Sequence, residues 1–163
     1  MVGLNSQESG FSLIELMVTI AILGILAITG ISLTGKWSQQ VELDKAIMSL
    51  NSGFSLAKST AMRNGAARTT TDEASSVVCF NNTTKVLTVH EATPATPAIA
   101  ASCSTPIVFQ YSLGGAITIK QGVTNFSCFS FNHFGQIITA NSCQVNLSLT
   151  VTNGSLNETI NLS

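Results

Sequence analysis

The stretch Gly10-Phe11-Ser12-Leu13-Ile14-Glu15-Leu16, with the uncharged residues that run on from Leu16 to Gly35, sets the architecture of this chain. Leu, Ile, Ala and Val dominate the run. As a helix of roughly 20 residues it would extend about 30 Å, the thickness of a bilayer's hydrocarbon core. A cleaved secretory signal needs a basic start, an apolar core of about 7–15 residues and a small-residue cleavage site after it. Residues 1–10 contain no Lys or Arg, and the apolar run is too long. A plain membrane anchor fits the length. Neither accounts for Glu15, whose carboxylate sits inside the apolar block and costs about 2.5–3.5 kcal/mol if it reaches the bilayer centre unpaired. A charge in that position needs a partner.

Cleavable glycine, phenylalanine, glutamate and apolar run in this register resemble the processing site of type IV pilins and type II secretion pseudopilins. The resemblance implies that a prepilin peptidase cuts between Gly10 and Phe11 and methylates the new N-terminal Phe11. It implies that Glu15 pairs with the N-terminal ammonium of a neighbouring subunit. In a low dielectric, two such charges satisfy one another only in the assembled register. The expected organisation is a leader at 1–10, a long helix over 11–64 whose part at about 11–35 spans the membrane, and a periplasmic β-rich domain over 65–163. Implied partners are the prepilin peptidase, the bacterial inner membrane before assembly, and other minor and major pilins through the N-terminal helix. Leaders of this family usually carry a basic residue where this chain has Glu8, and many members place a proline where it has Ser32. Gly24, Gly30 and Gly35 still weaken the helix in that region.

Beyond Lys36 the apolar block becomes periodic. Leu43, Ile47, Leu50, Phe54, Ala57 and Ala61 follow steps of four and three, a single helical stripe with Lys45, Ser52, Ser59 and Arg63 outside it. Asn64-Gly65 is a stop signal, since both residues accept the left-handed conformation. Met48 and Leu56 fall on the opposite side of this half and read as surface hydrophobes or subunit contacts. Residues 50–68, L-N-S-G-F-S-L-A-K-S-T-A-M-R-N-G-A-A-R, are similar to the GspH/FimT branch of the pseudopilins, with Val77-Val78-Cys79 in place of its following strand. Phe131-Asn132-His133-Phe134-Gly135 is similar to that branch's phenylalanine-to-glycine turn.

From Gly65 onward the chain reads as strands: Ser76–Phe80, Lys85–His90, Ile107–Tyr111, Ala116–Lys120, Asn125–Ser130 and Gln136–Thr139, rich in Val, Ile, Thr and Phe. Val145, Leu147, Leu149 and Val151 alternate with polar residues, Asn153-Gly154 supplies a turn, and Ile160 and Leu162 return, which predicts a β-hairpin. Ala92–Pro106, with three prolines, is a loop. The fold class is α+β, a long N-terminal helix packed on antiparallel sheet. Cys79, Cys103, Cys128 and Cys143 all fall in this half, as expected of two disulfides in an oxidising compartment. Three connectivities are open. Pairing Cys79 with Cys103 and Cys128 with Cys143 is favoured, because it pins the proline loop and the segment around Phe134. A zinc site wants CxxC-type spacing or matched histidines, and neither is present.

Charge narrows function further. Only 9% of the 163 residues are charged, and seven basic against eight acidic side chains leave a formal net charge of −1. A mean hydropathy of +0.38 excludes a disordered chain. Between Glu91 and Glu158 the only formal charge is Lys120. Two histidines, His90 and His133, and no nucleophile elbow, HExxH or phosphate loop argue against an enzyme, and no cofactor or metal is expected. The expected function is a minor pilin that helps initiate or cap a type IV pilus. The alternatives are a type II secretion pseudopilin of GspH type and a DNA receptor for transformation. The last is disfavoured: no arginine follows Arg68, so the Arg-containing C-terminal motif of such receptors and a basic stripe are both missing.

Overall fold

The computed structural model describes residues 10–162, with the backbone alone at positions 29–34. Two compact units divide between Ser38 and Gln39. The helix α1 (Leu13–Arg63) contributes to each. It starts where the carbonyl of Ser12 accepts the amides of Glu15 and Leu16, at 3.0 and 3.1 Å. It stops at Asn64, which takes a φ of 47°. The Asn64 side chain then closes the turn both ways, donating to the Arg68 carbonyl at 2.7 Å and accepting the Arg68 amide at 2.8 Å. A left-handed asparagine with a short amide is a ready helix terminator for this reason.

Among the described residues of the unit from Gln39 onward, nine strands follow the helix: β1 (Ser76–Asn81), β2 (Val86–Glu91), β3 (Ile107–Ser112), β4 (Ile117–Gln121), β5 (Thr124–Asn125), β6 (Cys128–Phe131), β7 (Ile137–Ile138), β8 (Ser148–Asn153) and β9 (Leu156–Asn161). They form two antiparallel sheets, a five-stranded one in the order β3-β2-β1-β6-β7 and a four-stranded one in the order β5-β4-β8-β9. One α+β core joins them. Leu43, Ala46, Leu50, Phe54, Ala57 and Ala61 of α1 cluster with Val78 and Phe80 of β1, Leu87 and Val89 of β2, Phe129 and Phe131 of β6, and Ile119 and Val151 of the second sheet. Phe54 stands edge-on to Phe131, with ring centroids 5.0 Å apart, and to Phe129 at 6.0 Å. The helical stripe read from the sequence is this buried face, except that Ile47 is only half-buried and Ala46 takes the deeper position.

β1 shows why its sequence does not alternate. Ser76 to Phe80 are all buried, because the strand is central and covered on both faces. Val78 and Phe80 face the helix. Val77 and Cys79 face a second, smaller cluster with Ala66, Ala74, Ala92, Ala101, Cys128 and Cys143. The disulfides Cys79–Cys103 and Cys128–Cys143 lie in this outer layer.

Two strand expectations change. The run Asn125–Ser130 is not one strand: β5 pairs with β4 in one sheet and β6 pairs with β1 in the other. The chain crosses between them at Phe126, whose amide donates to Ile119, and Ser127, whose carbonyl accepts from Phe80. The last hairpin begins at Ser148 rather than Val145; Val145 is 50% exposed and outside any strand. Its turn is at Asn153-Gly154 as read, with Gly154 at a φ of 61°.

Candidate processing and assembly site

Gly10 and Phe11 precede the first turn of α1, and both are exposed. Among the described residues, a Cβ built on Gly10 would meet nothing within 4 Å. Phe11 is 83% exposed. Residues 1–9, the rest of the expected leader, lie outside the described residues. Glu15 sits in the first turn of the helix and is exposed. An acidic side chain there is favoured by the partial positive charge of the helix start. The spacing Ser12-x-x-Glu15 is also that of a capping box, a helix-start signal.

The residues that follow are apolar and exposed on every side. Leu13, Ile14, Met17, Leu23, Ile25, Leu26 and Ile28 are each more than half exposed. A helix apolar all round belongs inside something. Among the described residues no helix is long and apolar enough to cross a membrane. The span expected at 11–35 includes positions 29–34, whose side chains lie outside the described residues.

Elsewhere the chemically active residue types are engaged in structure. His90 is buried; its Nδ1 donates to the Thr105 carbonyl at 2.6 Å, and its Nε2 lies 2.9 Å from the Thr88 hydroxyl. His133 is half-buried with its ring against Phe134. Arg68 pairs with Glu73 at 2.7 Å and donates to the Ala98 carbonyl, tying the proline loop down. Among the described residues no group of three or more His, Cys, Asp or Glu side chains is placed to hold a metal ion. Met48 is 69% exposed and Leu56 36%, so both face away from the core.

Residues 5–31 match the prokaryotic N-terminal methylation motif, which brackets Gly10, Phe11 and Glu15. No curated protein and no solved structure matches the chain. The motif supports a type IV pilin-like or pseudopilin protein, processed by a prepilin peptidase and assembled with other pilins.

Proposed function

We propose that this chain is a minor pilin of the GspH/FimT branch, a structural subunit without catalytic activity that helps initiate or cap a type IV pilus. It would serve motility and adhesion, and DNA uptake only indirectly. The observation that carries the reading is the methylation motif over residues 5–31, which takes in an apolar, exposed helix start with Glu15 in its first turn. In this reading the peptidase removes residues 1–10 and methylates Phe11. The processed chain waits in the inner membrane with residues 65–163 in the periplasm. Assembly then moves the apolar helix start from lipid into a bundle of pilin helices, where each Glu15 meets an N-terminal ammonium. Burial in a low dielectric makes that charge match a register, because a shifted neighbour leaves the carboxylate unpaired. Two disulfides and a Thr- and Asn-rich sheet favour a pilus subunit over a secretion pseudopilin.

Glu15→Ala tests the reading. Intact mass should show loss of residues 1–10 and one added methyl group, as in the parent protein. Recovery in sheared filaments should fall about 10-fold or more, equivalent to at least about 1.4 kcal/mol per subunit. Normal incorporation would remove the pairing role of Glu15. An unprocessed N-terminus on the parent chain would remove the pilin reading itself.

A further inference from the structure

Away from the N-terminal segment, the densest chemistry in the fold is the pair of disulfides on the outer face of the five-stranded sheet. Cys79 on β1 and Cys128 on β6 are direct cross-strand partners. Such partners have Cα atoms about 4.5–5.5 Å apart, inside the roughly 4.4–6.8 Å window that a disulfide bridges. The two bonds present run outward from this pair, to Cys103 and to Cys143. Cys79, Cys128 and Cys143 are only 5–6% exposed, which shields the Cys128–Cys143 bond from solvent thiols. Cys103 is exposed. Beside it lies an open groove of about 520 Å³ whose lining includes Cys79, Cys103, Cys128, Thr88 and Gln110.

We propose that this groove is a thiol-exchange site for a small dithiol, with Cys103 as the entry sulfur and Cys79–Cys128 as an alternative bond that the fold accommodates. A thiolate of the dithiol attacks Sγ of Cys103. An S–S bond forms there as the Cys79–Cys103 bond breaks, and Cys79 leaves as a thiolate. Cys79 then attacks Sγ of its cross-strand neighbour Cys128, and Cys143 leaves as a thiolate that takes up a proton. The second thiol of the donor displaces Cys103, which is protonated in turn. The dithiol is thereby oxidised to a cyclic disulfide, and its two electrons reduce one of the protein's two bonds. The product holds Cys79–Cys128, with thiols at Cys103 and Cys143. Exchange requires a thiolate with access to the target sulfur, so the exposed sulfur reacts first and the buried bond yields only to the internal thiolate. The strands β1 and β6 stay stapled. The proline loop and the segment around Cys143 lose their covalent ties and are held by hydrogen bonds, Arg68 to Ala98 and Asn141 to Ala101.

Cys103→Ala in the full chain leaves three cysteines and tests the central step. After acid quench, alkylation and peptide mapping, most chains should carry a linked Cys79–Cys128 peptide with the free thiol at Cys143. A free thiol confined to Cys79, with Cys128–Cys143 intact, overturns the proposal. The parent protein treated with one molar equivalent of dithiothreitol gives a readout that does not depend on the variant's folding. The expected product is the same linked peptide with Cys103 and Cys143 alkylated. Alkylation of Cys79 and Cys103 alone, of Cys128 and Cys143 alone, or any product set without the cross-strand peptide overturns it.

Discussion

Asn132 is 2% exposed, yet its side chain makes four hydrogen bonds. Its amide nitrogen donates to the Thr71 carbonyl and to Gln136, both at 3.3 Å, and its oxygen accepts the amides of Phe134 and Gln136, at 3.1 and 3.0 Å. It thus writes the Phe131–Gly135 turn from inside. Asn132→Ala strands those backbone donors and should lower stability by about 1–3 kcal/mol in urea unfolding; a loss under about 0.5 kcal/mol would mean that water replaces the amide. Gly135 ends the same turn at a φ of 73°, with Lys58 and Met62 side-chain carbons 3.0 and 3.1 Å from where a Cβ would sit. Gly135→Ala combines left-handed strain with crowding, so a loss of at least about 1–2 kcal/mol is expected, and an unchanged unfolding midpoint would contradict it. At this scale the sequence was legible where a residue type is out of place. Glu15 stands out in an apolar block, and with Gly10 and Phe11 it falls inside the methylation motif. Asn132 did not stand out, because an asparagine in a turn is ordinary until its burial is known.

At the scale of elements, period and length carried the reading of α1, since a stripe sustained over many turns has few alternatives. The same logic failed at residues 125–130. A period of two reports which face of a sheet a residue occupies, but two sheets sharing one core give the same signal on either side of a crossing. Phe126 is that crossing: it is fully buried, 4.8 Å from the Phe129 ring, while its amide is committed to the other sheet. Val145 marks the opposite error, an apolar residue in step with Leu147, Leu149 and Val151 that the strand never reaches. The pair makes a direct test. Phe126→Ala should cost about 3–5 kcal/mol, whereas Val145→Ala should stay within about 0.5 kcal/mol. Similar losses for both would restore the longer strand. The disulfide Cys128–Cys143 closes a separation of 15 residues. Replacing both cysteines with alanine should lower stability by about 3 kcal/mol, measured by the same unfolding.

Across the whole molecule, the scarcity of charge acts differently in the two units. Up to Ser38 it leaves Glu15 among exposed apolar side chains at the start of α1. Beyond Gly65 it leaves a neutral, polar exterior: Arg68, Lys85 and Lys120 against Asp72, Glu73, Glu91 and Glu158, a net of 3 − 4 = −1. The structure reduces the cationic side further. The Arg68 side chain is 9% exposed and tied to Glu73, so it cannot reach a phosphate, and Arg63 on the helix pairs with Glu91 at 3.4 Å. Affinity for duplex DNA scales with the number of phosphates neutralised, at a slope of about −0.9 per contact in log salt. Beyond Gly65 this leaves Lys85, in the turn before β2, and Lys120, on β4, to meet phosphates. A gel shift with the purified chain should therefore leave duplex DNA unretained at low-micromolar protein and physiological salt. Retention that weakens steeply with added salt would overturn this expectation and make DNA capture the leading reading.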